Sequence, residues 1–331
     1  MTVDLIEKAE GCLLGLALGD ALGAPTQSLS PQQIISTYGR ITHLRDASAD
    51  QPIAPNLPAG RVTDDTDQAL IVAHMLVQGL SAPAFAQALL DWEDHMIAIG
   101  SLDLLGPSTK AALYKIREGG DLTEAGKYGS TNVGPRSTMR IAPVGIAYPP
   151  GQHLRESVCQ ISSLTHGTTI GISAAMTVAV TISNVLEGAA LPEALAAGIA
   201  EGSKDYGNWV AGASIPARFK ALWPLCQSMG EEEFSTFLQQ VVGTSVQSPE
   251  SVTAALLLAC KYADKPFTAL CAAANLGGDT DTIGAIAGAI LGALHGPAGF
   301  PPSQIGLVEE VNEHDFAGTA EKLLALRKGE Q

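Results

Sequence analysis

Two short acidic segments, far apart in the chain, carry the side chains with the clearest capacity for chemistry. The first is Thr63-Asp64-Asp65-Thr66-Asp67 and the second is Gly277-Gly278-Asp279-Thr280-Asp281-Thr282. Each precedes an apolar stretch, so each places carboxylates and hydroxyls at the start of a predicted helix. Such oxygen ligands suit Mg²⁺, Mn²⁺ or Ca²⁺, whereas zinc and copper prefer nitrogen and sulfur.

Helix capping explains part of this pattern, because acidic residues stabilise the first turn of a helix. Three aspartates within four residues exceed what capping requires, and a cation would relieve their repulsion. The spacing of Asp279 and Asp281 resembles part of an EF-hand loop, but no Glu follows at the twelfth position. We therefore expect the fold to join the two segments around one or two hard metal ions, about 3.5–4 Å apart if there are two.

The helix that opens the chain has to position a further carboxylate. Gly11, Gly15 and Gly19 recur at every fourth residue and share one helix face. Glycine inside a helix costs about 1 kcal/mol relative to alanine, so this face is expected to press against a neighbouring helix. Asp20 then lies near the end of a buried helix, where the macrodipole disfavours it. A structural role and a functional role are both open for Asp20.

The rest of the chain predicts helices separated by short breaks, and therefore an all-α fold. Val241–Val246 is the best weak candidate for a strand, and Arg40–Gly60 is predicted to be an irregular loop. Gly126–Arg140, rich in Gly, Ser, Thr and Asn, is predicted to be a loop that faces the substrate. Because no repeat or linker stands out, residues 1–331 predict a single compact domain of many orthogonal helices.

Composition excludes several classes of function. The net charge of −15 argues against binding of nucleic acid or of an anionic membrane through a basic surface. The five cysteines are scattered, which predicts free thiols in a reducing compartment. No basic segment precedes the first apolar residues, so we expect a cytoplasmic protein rather than a secreted one. Thr168–Leu186 and Ile283–Leu294 are rich in small and hydroxyl residues, so we expect buried helices rather than membrane spans.

The chain resembles the ADP-ribosylglycohydrolase family, which includes the dinitrogenase-reductase-activating glycohydrolases and the related jellyfish crystallins. The segments that carry the resemblance are Gly15–Gly23, Thr63–Thr66, Ser137–Pro143, Leu164–His166 and Gly277–Thr282. They occur in the family's order and span most of the chain. Together they are highly specific, although none of them would be so alone.

The resemblance implies a compact all-α glycohydrolase with a binuclear Mg²⁺ or Mn²⁺ centre. The family cleaves the N- or O-glycosidic bond at C1″ of an ADP-ribosyl group, and the metals engage the distal ribose hydroxyls. By position, the implied metal ligands are Thr63, Asp64, Asp65, Asp279, Asp281 and Thr282. The implied substrate contacts are Gln27, Gly134, Arg136, Ser137, Met139 and His166.

Two departures from the family's pattern bear on the reaction. Many members have a Glu, proposed to act in catalysis, where this chain has Gln27, and an amide is not a general base. The catalytic candidates are then Asp64, Asp65 and Asp20. Arg136 stands where many relatives have an Asn-Gly-Ser type of turn, and its side chain is long enough to reach a phosphate or carboxylate.

Three functions are compatible with these residues. The leading one is a metal-dependent glycohydrolase that acts on an ADP-ribosyl group of a protein or small molecule. The second keeps the site but hydrolyses a small N-ribosyl metabolite related to a nucleoside. The third is a non-catalytic ADP-ribose-binding or structural relative: the complete set of metal ligands argues against it, whereas Gln27 argues for it.

Overall fold

The computed structural model describes residues 3–101, 105–119 and 134–329, and these ranges are almost entirely helical. They form sixteen α-helices and no named strand, which confirms the all-α prediction. The helices are α1 Leu5–Gly23, α2 Pro31–Tyr38, α3 Asp64–Gln78, α4 Ala82–Ala98, α5 Pro107–Arg117, α6 Ala142–Ala147, α7 Gln152–His166, α8 Thr169–Leu186, α9 Leu191–Gly202, α10 Ile215–Cys226, α11 Glu231–Phe237, α12 Ser248–Lys261, α13 Pro266–Ala274, α14 Thr280–His295, α15 Pro302–Asn312 and α16 Phe316–Lys328.

Helices α1 and α14 lie antiparallel at very close range. Their facing glycine pairs are Gly11 with Gly292, Gly15 with Gly288, and Gly19 with Gly284. A Cβ atom added to any of these glycines would come within 3.0 Å of the other helix's backbone. The prediction that the glycines of α1 share a tightly packed face is confirmed. This packing brings the end of α1, with Asp20, to the beginning of α14.

Threonine hydroxyls fix the junction between these two helices. The Thr280 hydroxyl donates to the carbonyl of Gly23 at 2.9 Å, and the Thr26 hydroxyl donates to the carbonyl of Ala274 at 2.7 Å. All four of these residues are buried, so the bonds satisfy carbonyl groups that the helix ends would otherwise leave unpaired. The beginning of α14 is therefore held in one position.

The turn before α14 depends on two glycines. Gly277 and Gly278 have φ angles of +77° and +80°, a backbone region that residues other than glycine rarely adopt. Gly278 also lies so close to the carbonyl of Thr244 that a Cβ atom would overlap it. The amide of Asp279 then donates to the same carbonyl at 2.7 Å, which aims the acidic segment into the molecule.

A long irregular segment between α2 and α3 delivers the first acidic cluster, as predicted for Arg40–Gly60. Asn312, at the end of α15, anchors its last part. The Asn312 side chain accepts from the amide of Val62 at 3.1 Å and donates to the carbonyl of Gly60 at 2.7 Å. These bonds fix the backbone immediately before α3.

The weak strand candidate Val241–Val246 is wrong, because Leu238–Val242 continues α11 as a π-helical turn and the following residues form a loop. Of the predicted loop Gly126–Arg140, residues 126–133 lie outside the described residues. Its described part contains a 3-10 turn at Pro135–Ser137 and leads into α6.

The apolar helix α8 lies inside the molecule. By length and composition alone it is apolar enough to cross a membrane, but 89% of it is buried by the surrounding chain. That is the behaviour of a core helix, and it agrees with the expectation for this segment. Helix α14 is buried along nearly its whole length as well.

Candidate metal centre

The two acidic segments meet in the interior, where the beginnings of α3 and α14 face each other. The hydroxyl of Thr282 lies 3.4 Å from Oδ2 of Asp65, which joins the two segments directly. The six expected metal ligands are all buried, each with at most 4% of its surface exposed. They are Thr63, Asp64, Asp65, Asp279, Asp281 and Thr282. The fold therefore brings together the residues that the sequence placed far apart.

Asp20 caps helix α3 from a different helix. Its Oδ2 accepts from the amides of Thr63 and Thr66 at 3.0 and 3.1 Å, and from the Thr66 hydroxyl at 2.5 Å. Its Oδ1 accepts from the Thr63 hydroxyl at 2.8 Å. Thr63 occupies the N-cap position of α3, yet its own side chain makes no capping bond within that helix.

These contacts identify Asp20 as a residue that positions α3. Burial raises its pKa to about 6, while the bonds from Thr66 and Thr63 act in the opposite direction. Its carboxylate oxygens both accept from protein donors, so Asp64 and Asp65 are better placed than Asp20 to act on a substrate.

Four buried carboxylate oxygens of this cluster have no hydrogen-bond partner among the described residues. They are Oδ1 of Asp65, Oδ2 of Asp279 and both oxygens of Asp281. A buried acceptor without a partner costs about 1–3 kcal/mol, and more if it is charged. The helix dipoles offset part of this cost, because α3 and α14 both begin here. Hard divalent cations bind carboxylate oxygens, so a cation in this cluster would supply partners that the protein lacks.

The donor set fits Mg²⁺ or Mn²⁺, since it consists of carboxylates and hydroxyls. Among the described residues, no three His, Cys, Asp or Glu side chains are already gathered closely enough to form a metal site. The hydroxyls of Thr63 and Thr282 lie 3.5 and 3.4 Å from Oδ2 of Asp65, so they are further oxygen donors in the same cluster.

Electrostatic crowding points in the same direction. Burial, followed by the charge of Asp281, raises the pKa of Asp65 well above its usual range. Burial, followed by the charge of Asp279, does the same for Asp281, and burial raises the pKa of Asp279 to about 7. Carboxylates that destabilise one another in this way bind a divalent cation more strongly than isolated ones do.

A buried polar network extends from Asp64 to two arginines. Oδ2 of Asp64 accepts from Nη1 of Arg136 and, at 3.0 Å, from Nε2 of Gln68. Gln68 in turn accepts from Nη1 of Arg140 at 2.7 Å. The sequence reasoning missed Gln68 and Arg140 as site residues. The four-residue spacing from Asp64 to Gln68 could have indicated the first of these contacts.

Arg140 and His166 lie together beside the site, where both contact the hydroxyl of Thr165. Arg140 is fully buried, donates to the hydroxyl of Thr165 at 2.6 Å, and lies 5.0 Å from the ring centroid of Phe85. Nδ1 of His166 lies 2.9 Å from the same hydroxyl. Burial, then the charges of Arg140 and Arg136, lower the pKa of His166 to about 3. The imidazole is therefore neutral at pH 7.

The expected substrate segment lies against this histidine. A Cβ atom on Gly134 would be 3.7 Å from Nε2 of His166. The hydroxyl of Ser137 donates to the carbonyl of Gly171 at 3.4 Å, and Met139 is buried. Ser137 and Met139 thus attach the segment to the core. Gly134, nearer the start of the segment, lies next to His166.

Gln27 adjoins the second acidic segment through the backbone. The carbonyl of Gln27 accepts from Nε2 of the buried Gln51 at 3.0 Å. The amide of the next residue, Ser28, donates to the carbonyl of Gly278 at 2.7 Å. Gln27 is half-buried, so the structure places the residue that departs from the family's pattern beside the centre.

Comparison with known proteins gives consistent matches over the whole chain. The family model described as ADP-ribosylglycohydrolase matches residues 1–331. The Escherichia coli protein named YegU is 32% identical over 331 residues, which covers 97% of this chain and 98% of that protein. The ADP-ribosylarginine hydrolase Tri1 of Pseudomonas putida is 29% identical, covering 91% of this chain and 74% of its own.

A solved structure confirms the fold. The chain of an ADP-ribosylglycohydrolase-related protein complex aligns with 99% of this chain and 99% of its own length, with a TM-score of 0.72 and 25% sequence identity. The all-α architecture is therefore shared along the entire length of the two proteins.

Proposed function

Because this chain belongs to the ADP-ribosylglycohydrolase family, whose members are glycosidic hydrolases, we propose that it hydrolyses the bond at C1 of an ADP-ribosyl group with the help of bound Mg²⁺ or Mn²⁺. The observation that carries the metal dependence is the set of four buried carboxylate oxygens without partners, on Asp65, Asp279 and Asp281. They lie at the beginnings of helices α3 and α14, which meet in the interior.

Six side chains are proposed to hold two metal ions: Thr63, Asp64, Asp65, Asp279, Asp281 and Thr282. Bound there, the ions would orient ribose hydroxyls and lower the pKa of a bound water. Asp20 contributes by holding Thr63 and Thr66, so the first ligands of α3 keep their direction. This arrangement gives the ligand set the rigidity that precise orientation of a substrate requires.

Asp65 is the better candidate for accepting a proton from water. Its Oδ1 has no hydrogen-bond partner in the part of the chain that the structure describes, whereas Oδ2 of Asp64 accepts from Gln68 and Arg136. The carboxylate of Asp65 would also stabilise the positive charge that develops at C1 as the glycosidic bond breaks. Gln27 takes no part in this proton transfer, because a neutral amide is not a base.

The segment around Gly134 is proposed to hold the diphosphate-bearing part of the substrate. Gly134 has no side chain and lies next to His166, whose neutral imidazole can donate one hydrogen bond without adding a charge. Arg136 supplies the positive charge on this side of the site and suits a phosphate oxygen.

The test is release of ADP-ribose from an ADP-ribosyl-arginine peptide, measured by chromatography with and without Mg²⁺. We expect activity with Mg²⁺, its loss in excess chelator, and a loss of roughly 100-fold or more in Asp65→Asn and Asp281→Asn. Full activity in excess chelator would contradict the proposal.

Asp67→Asn is the matched control for this experiment. Asp67 lies in the same first turn of α3, but Oδ2 accepts from the indole of Trp92 at 3.0 Å and Oδ1 lies 3.3 Å from Nε2 of His314. The substitution removes the same charge from the same turn without touching the ligand set. Its activity should stay within a few-fold of the wild type.

A second substrate class is motivated by Gln27, which replaces the carboxylate of many relatives beside the centre. A small N-ribosyl compound would use the same metal ligands. Running free ribosides next to the ADP-ribosyl peptide separates the two: turnover of ribosides alone supports the second class, and turnover of the peptide alone excludes it.

A further inference from the structure

Building on the metal centre proposed above, we infer that Arg136 is an internal cation that competes with metal for Asp64, so that metal binding displaces its guanidinium. Nη1 of Arg136 makes an ion pair with Oδ2 of Asp64. That oxygen belongs to an expected metal ligand. A metal ion and a guanidinium cannot both take the same lone pairs at full strength, so the two cations exclude each other there.

Only one of the two arginines near the acidic cluster is placed to move. Arg140 is fully buried and its two terminal nitrogens donate to Gln68 and Thr165. The side chain of Arg136 is 27% exposed, and its Nη1 donates to Oδ2 of Asp64. Arg140 is therefore a buried charge that is held in place, whereas the partly exposed side chain of Arg136 can move towards solvent.

The influence of Arg136 extends across the centre. Burial raises the pKa of Asp279, and the charge of Arg136 is the largest effect in the opposite direction. The charge of Arg136 also lowers the pKa of Asp64, on the other segment, which burial raises. Its guanidinium therefore acts on both acidic segments, as the metal is proposed to do.

The backbone provides a place for this side chain. A Cβ atom added to Gly106 would lie within 3.0 Å of Nε, Cδ and Cζ of Arg136. Gly106 precedes α5 with φ −61° and ψ 157°, angles that alanine also adopts without strain. The absent side chain of Gly106 thus leaves room for the arginine on its way to Asp64, and an alanine there would push the arginine aside.

This competition orders two events. Before metal binds, Arg136 offsets part of the charge of Asp64. When metal takes Asp64, the guanidinium is released beside the segment that starts at Gly134. There it can pair with an anionic group of the substrate, such as a phosphate. Metal binding would thereby prepare the site for an anionic substrate, and Arg136 would serve as a positioning residue for both.

The experiment is calorimetric titration of Mg²⁺ into chelator-treated full-length protein. We expect Arg136→Gln to bind Mg²⁺ roughly tenfold more tightly than the wild type, because a competing cation has been removed. Arg117→Gln is the matched control, since Arg117 is an exposed arginine that pairs with Asp94. Its Kd should equal that of the wild type.

Gly106→Ala is a second, charge-preserving variant. It keeps Arg136 but displaces its side chain, so it should also tighten Mg²⁺ binding. In thermal unfolding, Arg136→Gln should be less stable than the wild type without Mg²⁺ and gain more from added Mg²⁺. Circular dichroism before each titration confirms that the variants are folded.

The outcomes separate this inference from the proposed function. Equal or weaker Mg²⁺ binding by folded Arg136→Gln overturns the competition and leaves the metal centre intact. Absence of Mg²⁺ binding in every variant contradicts both the centre and the competition. Tight binding by the wild type without turnover of any riboside contradicts the proposed reaction only.

Discussion

At the scale of single residues, Asp20 shows how a carboxylate of one helix can position the first turn of another. It receives two amides and two hydroxyls of Thr63 and Thr66, and so performs the N-cap role that α3's own first residues leave open. A bond from a neutral donor to a charged carboxylate is stronger than one between neutral groups. The position of the first turn of α3 therefore depends on a residue of α1.

The Thr66 hydroxyl offers a direct test of this cap. Thr66→Val keeps the size and branching of the side chain but removes a 2.5 Å bond to Asp20. We expect the free energy of unfolding in urea to fall by about 1–3 kcal/mol. Thr66→Ser retains the hydroxyl and should lose much less. Equal losses in the two variants would show that packing, rather than the hydrogen bond, matters at this position.

At the scale of elements, the contact between α1 and α14 determines where the acidic segments lie. The backbones approach so closely that neither helix tolerates a side chain at the facing positions. Small residues on both helices make this approach possible, at the cost of the weak helix propensity of glycine.

Gly288→Ala tests the approach of the two helices. Its Cβ atom would overlap the backbone of Gly15, so the helices must separate or bend. We expect a destabilisation of about 1–3 kcal/mol or more in urea unfolding, together with weaker Mg²⁺ binding. Gly306→Ala is the control, because Gly306 lies in α15 with nothing within 4 Å of the added atom. That variant should be as stable as the wild type or up to about 1 kcal/mol more stable.

Sequence patterns predicted these elements well where the cause is local. Proline in the first turn of α15 and an N-cap aspartate before α16 are local signals that mark where these helices begin. The strand expected around Val241–Val246 failed because apolar β-branched residues also fit the end of a helix, here a π-helical turn.

Part of the candidate site could also be predicted, because its acidic residues are grouped in short segments of the sequence. The two acidic segments stand out by composition, so their meeting could be expected. The bonds of Asp20 to Thr63 and Thr66 could not, because they depend on how α1 crosses α3. The contact of Arg140 with Gln68 likewise joins residues whose proximity only the folded chain creates.

At the scale of the whole molecule, the buried His166 makes stability depend on pH. Its pKa is lowered to about 3 by burial, whereas in the unfolded chain it is about 6.5. Below pH 6.5 the unfolded chain takes up a proton that the folded chain accepts only near pH 3. The stabilisation associated with neutral His166 is therefore present above pH 6.5 and is lost progressively towards pH 3.

Urea unfolding of the wild type and of His166→Asn at several pH values tests this dependence. Asparagine can replace the bond of Nδ1 to Thr165, but it does not titrate. Between pH 7 and pH 5 the stability of the wild type should fall by about 2 kcal/mol relative to the variant. A difference that stays constant over this range would show that His166 takes up its proton at the same pH in the folded and unfolded chains.

The antiparallel contact of α1 with α14 also has a consequence for biosynthesis. Asp20 and Asp65 emerge early from the ribosome, whereas Asp279 and Asp281 emerge only when most of the chain has been translated. A nascent or truncated chain that ends before Asp279 carries half of the proposed ligand set and lacks the partner that α1 packs against. Loading with Mg²⁺ would then distinguish finished molecules from unfinished ones, because only a fully translated core brings both halves together.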